Sequence, residues 1–496
     1  MRNLLTDPIC HAADLGKPIP DSPYAVSVCL PLWEHVVGYE EGDPKVLEKF
    51  QSGYPRFFVP SAIASLFAAA EKEHAGVGER ALVFPRAIHA QRCAEFIKKN
   101  NGGEVRVHEF GNEKLGVAVF PAESYSIARR YWRFCGEVVS ARQSESALGK
   151  ATAQVSEDEG ETACQIIKQR VADITGQCAE NVFLFPSGMA ANFAVHRMLT
   201  AFFPDRKTVQ LDFPYVDVLK LQQLFGAGAH FLPFNDESDY AKLDALIKVE
   251  PLAGIFTEMP SNPLLKCVDV RRVSEMLFLA EKDTPIIMDD TIATCVNVDA
   301  FLHADVVTTS LTKAFSGVGD VLAGSVILNG DSPYHDDFAA FMRAHNDHTL
   351  WRGDAVVLEQ NSRDFVERVR TMSRNSVALF EFLAEHPAVE KVFHTITDDS
   401  GIYDHLQRSD GGHGCLLSFV LKDKTKSAAV YDAMEFCKGP SLGTNFTLVC
   451  PYTLLAHYDE LAWAESCGVD RHLIRVSCGL ESAEAIIERM KRALES

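Results

Sequence analysis

The chain has 496 residues, 47% hydrophobic and 23% charged, an ordinary globular composition with enough apolar material for a large core. Its 68 acidic against 48 basic residues leave a net charge of -20, which argues against nucleic acid or an anionic membrane as a partner. It has no run of 18 apolar residues and no apolar signal core at the N-terminus, so a soluble cytoplasmic protein is expected.

The first 120 residues carry short elements between Pro- and Gly-rich punctuation. Helices are predicted over Ala62 to Glu73 and Ala87 to Lys99, and strands over Ala81 to Phe84 and Leu115 to Phe120. From about 150 the pattern becomes regular. Ala163, Ile166, Ile167, Val171 and Ile174 fall at helical spacing. Strands at Val182 to Phe185, Thr208 to Leu211, Phe231 to Phe234, Gly254 to Thr257, Pro285 to Met288, Val306 to Thr309 and Leu322 to Leu328 alternate with helical stretches. That alternation predicts βαβ units and a mostly parallel sheet. A long helix over Asp364 to Glu385, strands at Cys415 to Leu421 and Ile474 to Ser477, and a final amphipathic helix over Ser482 to Leu494 predict a smaller α+β domain. The expected division is an N-terminal extension or arm over 1–125, a large domain over 126–330 and a smaller C-terminal domain over 331–496.

In a parallel sheet, ligands bind outside the carboxyl ends of the strands. Ser187, Asp289 and Ser310 all stand at predicted strand ends. Ser310-Leu311-Thr312-Lys313 leads from a buried strand into the small-residue loop Ala314 to Asp320. A lysine held there, with hydroxyls one and three residues before it, suits a Schiff base to a phosphate-bearing aldehyde. Asp289 ends an apolar strand, the position from which a carboxylate pairs with a pyridinium nitrogen. Ser187-Gly188-Met189 opens a helix, where backbone amides meet phosphate. Gly317-Val318-Gly319 follows a lysine loop rather than opening a helix, which excludes a dinucleotide fingerprint. The 13 cysteines contain no Cys-x-x-Cys pair and predict free thiols and no metal site. His413 sits in a glycine-rich turn before a strand and predicts a turn rather than a metal ligand.

Taken in order, Ser187 to Ala191, Pro260 to Pro263, Asp289 to Thr291, Ser310 to Lys313 and Arg475 to Glu481 resemble the motifs of the cysteine and methionine metabolism family of pyridoxal phosphate (PLP) enzymes, in its cystathionine γ-synthase group. Gly38 to Gly42, Phe213 to Asp217 and Ser441 to Phe446 look like the fungal branch, with its longer N-terminal region. The resemblance implies an α/β, aminotransferase-like fold (fold type I), with the large domain binding PLP. It also implies roles. Lys313 would hold the cofactor and shuttle protons, Asp289 would pair with the pyridine nitrogen, and Tyr215 would stack on the ring and assist as acid or base if its pKa is lowered. Gly188, Met189, Ser310 and Thr312 would hold the phosphate, and Asn262 would lie near the 3-oxygen. Arg475 would grip the substrate carboxylate, with Ser441 beside it. The activity implied is γ-replacement on an O-acyl-L-homoserine by a thiol such as L-cysteine, alternatively by a carbon nucleophile, or γ-elimination. A homodimer or homotetramer with shared active sites is implied, because family members carry a Tyr-x-Arg, followed by Asn-Pro, that reaches the neighbouring subunit's phosphate. Here Tyr131-Trp132-Arg133 fits the three-residue pattern but no Asn-Pro follows, and Arg133 and Arg142 both remain candidates.

Overall fold

The computed structural model describes residues 2–151, 154–345, 350–398 and 400–496. Strands β1 (Glu79–Phe84), β2 (Arg106–Phe110) and β3 (Leu115–Pro121) form an antiparallel sheet in the order β1-β3-β2. Helices α1 (Ser61–His74), α2 (Ala87–Lys99), α3 (Tyr125–Cys135) and α4 (Ala141–Ala147) complete this unit, with α1 packed on α4 and α2 on α3. The boundary expected at 125/126 falls at the first residue of α3, whose Tyr131 and Trp132 are buried in one cluster with Phe84 and Phe96 of the preceding segment.

Residues before 61 are not a free arm. Val28, Leu30, Val36 and Phe50 are buried with Phe419, Tyr431 and Val476 of the C-terminal domain. Leu30 donates its amide to the Lys438 carbonyl at 2.9 Å, and the Lys438 ammonium returns a bond to the Pro31 carbonyl at 2.9 Å.

The central sheet comprises β4 (Val182–Phe185), β5 (Thr208–Leu211), β6 (Ala229–Leu232), β7 (Gly254–Glu258), β8 (Ile286–Asp289), β9 (Val306–Thr309) and β10 (Gly324–Leu328), in the order β4-β10-β9-β8-β7-β5-β6. Only β10 runs against its neighbours; the other pairs are parallel. These strands are short apolar runs, nearly all buried on both faces, as a helix-covered parallel sheet requires. β6 is the exception, an edge strand two residues earlier than the predicted Phe231 to Phe234; Pro233 follows it, and proline has no ladder donor. Helix α5 (Glu157–Thr175) starts on a Ser156 capping box. Helices α6 (Gly188–Phe202) and α7 (Val216–Leu224) follow β4 and β5.

The C-terminal sheet has β11 (Val389–Phe393), β12 (Leu416–Leu421), β13 (Cys437–Lys438), β14 (Leu448–Pro451) and β15 (Ile474–Ser477), in the order β11-β12-β15-β14-β13. Helices α8 (Phe365–Glu385) and α9 (Ala483–Leu494) pack against each other over it. Among the described residues, no helix is long and apolar enough to cross a membrane.

Candidate active site

The carboxyl ends of β4, β8 and β9 converge on one cavity of about 710 Å³. Lys313, Asp289, Tyr215, Gly188, Met189, Ser310, Asn262, Ser441 and Arg475 all line it. The large domain supplies the first seven and the C-terminal domain the last two, so the site lies between domains.

Lys313 leaves β9 on a turn closed by its own amide to the Ser310 carbonyl (3.1 Å) and by the Gly317 amide to the Lys313 carbonyl (2.8 Å). Its Nζ donates to the Ser441 hydroxyl at 3.1 Å and stands 5.4 Å from the centre of the Tyr54 ring. Burial, with the Arg475 and Arg56 charges nearby, pushes its pKa down to about 7. Much of the amine is therefore neutral near pH 7, the form that attacks an aldehyde.

Asp289 accepts from the Thr291 amide (2.9 Å), the Asn192 amide group (3.3 Å) and the Thr308 hydroxyl (3.4 Å). Burial raises its pKa, and these donors work against that rise. A cationic ring nitrogen beside it favours the ionised form.

Arg475, 4% exposed, is no surface ion pair. Its guanidinium donates to the Pro440 carbonyl (2.8 Å), the Ser441 carbonyl (3.0 Å) and the Asn262 side-chain oxygen (3.2 Å), and lies 4.8 Å over the Tyr452 ring. No carboxylate pairs with it among the described residues, so a substrate carboxylate meets a fixed cation without having to displace one.

At the start of α6 the Ser187 hydroxyl accepts from the Ala190 amide and donates to the Gly136 carbonyl at 2.7 Å. Gly188 and Met189 are the first two helical residues, whose amides have no intrahelical acceptor. A Cβ on Gly188 would meet the Ser310 Cβ at 2.7 Å, so the cradle needs glycine there.

Two expectations change. Thr312 is 1% exposed and sits in the wall, where its hydroxyl donates to the Ala323 carbonyl (3.2 Å) and accepts from the Ala323 amide (3.0 Å); Ser310 is the hydroxyl that lines the cavity. The Tyr215 pKa is raised, not lowered, because burial outweighs the Arg56 charge. Tyr215 lines the cavity, and its hydroxyl stays protonated and accepts from Arg56 at 2.6 Å.

Of the candidate arginines, Arg133 lines the cavity and pairs with Asp217 at 3.1 Å. Arg142 pairs instead with Asp320 (3.2 Å) and Asp354 (3.0 Å) and lies outside the cavity. The sequence reading missed Tyr54-Pro55-Arg56, which also has the Tyr-x-Arg pattern. Arg56 is 2% exposed and bonds Asp217 at 2.6 Å and the Arg133 carbonyl at 2.9 Å. Also missed was Glu258, which accepts the Tyr215 amide (2.7 Å) and the Asn262 amide (3.1 Å) and so fixes both residues from beneath.

The set fits PLP: a glycine cradle at a helix N-terminus, a buried Arg56 whose Nε has no protein partner, a carboxylate between strands and a neutral-leaning lysine.

Comparison with known proteins gives the same picture. The pattern of the Cys/Met metabolism PLP-dependent enzyme family matches residues 158–495, and that of the fungal trans-sulfuration enzyme N-terminal domain matches residues 62–140. The cystathionine gamma-synthase of Neurospora crassa is 33% identical, covering 97% of this chain and 98% of the relative. The cystathionine gamma-synthase-like enzyme iboG1 of Amanita muscaria is 30% identical, covering 97% of each chain. The crystal structure of cystathionine gamma synthase from Xanthomonas oryzae pv. oryzae shares the fold, with a TM-score of 0.60 at 22% identity over 69% of this chain and 88% of that one.

Proposed function

The chain belongs to the Cys/Met metabolism PLP-dependent enzyme family, and we propose that it catalyses γ-replacement on an O-acyl-L-homoserine by a small thiol such as L-cysteine. The observation that carries this reading is the pairing, in one cavity, of a lysine whose pKa is pushed down to about 7 with an arginine that no carboxylate neutralises among the described residues. That arrangement suits an α-amino acid, with its carboxylate on Arg475 and its α-carbon toward Lys313.

When bound, PLP supplies an electron sink for a carbanion at the α-carbon. Gly188, Met189 and Ser310 would hold its phosphate, Asp289 its ring nitrogen and Tyr215 one face of the ring. Replacement at the γ-carbon needs protons moved at both the α- and β-carbons. Tyr54, Tyr215 and Tyr452 line the cavity, and burial raises the pKa of each, so they act as hydrogen-bond donors. Proton transfer therefore falls to Lys313, whose pKa of about 7 lies near neutrality.

The test is to incubate the holoenzyme with O-acetyl- and O-succinyl-L-homoserine and a panel of thiols and β-keto compounds, and to analyse products by mass spectrometry. A thioether supports the reading. A new C–C bond assigns a carbon nucleophile instead, and 2-oxobutanoate with ammonia alone assigns a lyase. No consumption of either acyl-homoserine overturns the proposal.

A further inference from the structure

We propose that the unit built from α1 to α4 and the β1-β3-β2 sheet, residues 61–147, is a buttress for the cofactor cradle, and that Glu137 is the positioning residue through which it holds the first turn of α6.

The first argument is how Glu137 is held. It is 3% exposed, a carboxylate beside an apolar core. Arg92 of α2 donates to it, as does the Tyr131 hydroxyl of α3 at 3.0 Å, and the His89 ring of α2 lies 4.0 Å away. Burial raises its pKa, and the cations around it, Arg92 and Arg197 among them, more than reverse that rise and keep it ionised. Arg197 belongs to α6 itself. The anion therefore answers to charges from both units at once. Removing one partner of such a buried set leaves an uncompensated charge, so the arrangement resists opening.

The second argument is what Glu137 adjoins. Gly136, the residue before it, ends α3 with φ +69°. The Gly136 carbonyl accepts from the Ser187 hydroxyl at 2.7 Å and from the Val138 amide at 2.8 Å. Ser187 in turn caps α6 by accepting from the Ala190 amide at 3.1 Å. A Cβ on Gly136 would come within 2.7 Å of the Ser187 hydroxyl oxygen, so the two segments meet with no room to shift. The path from the Glu137 carboxylate to the amides of Gly188 and Met189 thus runs through one peptide, one hydroxyl and one helix cap.

The third argument is packing. Trp132 and Cys135 share one core with Met189, Ala190 and Phe193, and the Tyr131 ring meets Phe193 edge-on at 6.0 Å. Apolar contact is non-directional and leaves α6 free to slide along its axis. The Glu137 contacts and the Ser187 bond supply the directional restraint.

The inference rests on PLP occupying this cavity with its phosphate at the first turn of α6, and not on the choice of nucleophile. Loading of the cofactor-stripped protein therefore tests it apart from turnover. Two probes are used: PLP, and pyridoxal, which has the same ring and aldehyde but no phosphate. Each is titrated into wild type, Glu137→Gln, Ser187→Ala and the double variant. Borohydride fixes the imine, and mass spectrometry counts the adduct at Lys313.

Glu137→Gln keeps the size and removes the charge. It should weaken PLP half-saturation about 5- to 50-fold, as for a loosened charge-assisted contact, and leave pyridoxal half-saturation unchanged. The double variant should lose less than the product of the two single losses, because both act on one path. Equal weakening for the two probes, as general loosening would give, overturns the proposal. So does wild-type PLP half-saturation with a lowered unfolding midpoint, the mark of a purely structural ion pair. Losses that multiply in the double variant overturn it as well. A wild type that takes up neither probe, or both equally well, overturns the premise and the inference with it. If Glu137→Gln does not fold, Tyr131→Phe, which removes one hydroxyl bond to Glu137, takes its place in every comparison.

Discussion

Replacing the Lys313 amine is expected to stabilise the cofactor-free protein. Burial first, then the Arg475 and Arg56 charges, moves the Lys313 pKa from 10.5 to about 7. Below pH 7 both the folded and the unfolded chain hold the proton, and the folded state carries the full cost of a buried charge. Between pH 7 and 10.5 the unfolded chain binds more protons than the folded one, so stability climbs with pH, and above 10.5 the cost is gone. At about 1.36 kcal/mol per pH unit the gap corresponds to roughly 4 to 5 kcal/mol. Water in the cavity screens the charge, so that figure is an upper bound, and about 2 to 4 kcal/mol is expected at pH 6.5. Lys313→Met keeps most of the volume and removes the charge. Denaturant unfolding of cofactor-stripped wild type and Lys313→Met at pH 6.5, 8 and 10 reads the effect. The variant should be the more stable at pH 6.5, with the difference shrinking toward zero at pH 10. Equal stability at pH 6.5, or a difference that does not change with pH, would refute the reasoning.

Arg475→Ala should lower kcat/KM for the amino-acid substrate by about 10²- to 10³-fold through the loss of two charge-assisted bonds, mostly in KM. Arg475→Lys should recover only part of that in steady-state assays, because an ammonium cannot form the two parallel bonds. Asp289→Asn should slow exchange of the substrate α-hydrogen with deuterated solvent by about two orders of magnitude or more, read by NMR, since a neutral amide gives the ring nitrogen no negative partner. Gly136→Ala should cost more than about 1 kcal/mol in unfolding experiments and weaken PLP loading. Gly136 has φ +69°, and a Cβ there would meet the Met189 Cβ at 2.5 Å and the Ala190 amide at 2.6 Å, in the first turn of α6.

The central sheet was legible because most of its strands are short, largely apolar runs alternating with helical stretches, and residues at their carboxyl ends line the cavity. Lys313, Asp289 and Gly188 were legible for the same reason: each stands where a strand hands over to a loop or helix. The role of Tyr54-Pro55-Arg56 was not: Phe57-Phe58 follows it in place of Asn-Pro, and Tyr131-Trp132-Arg133 offers the same three-residue pattern. The structure separates them: Tyr131 is 1% exposed, packed among Phe84, Phe96 and Phe193, and its hydroxyl bonds Glu137 rather than facing the cavity. Glu258 carried no local signal, because its partners Tyr215 and Asn262 come together with it only in the folded chain. Thr312 was misplaced by one strand-end turn: its spacing suits phosphate, but the antiparallel β10 brings Ala323 alongside and takes its hydroxyl.

Val28, Leu30, Val36 and Phe50 find packing partners some four hundred positions downstream, among Tyr431, Lys438 and Val476. On the ribosome the opening segment therefore emerges long before anything exists for Val28, Leu30 and Phe50 to pack against. That apolar stretch stays uncovered in the nascent polypeptide until the last domain is synthesised, so burial of this region waits on the C-terminal sheet.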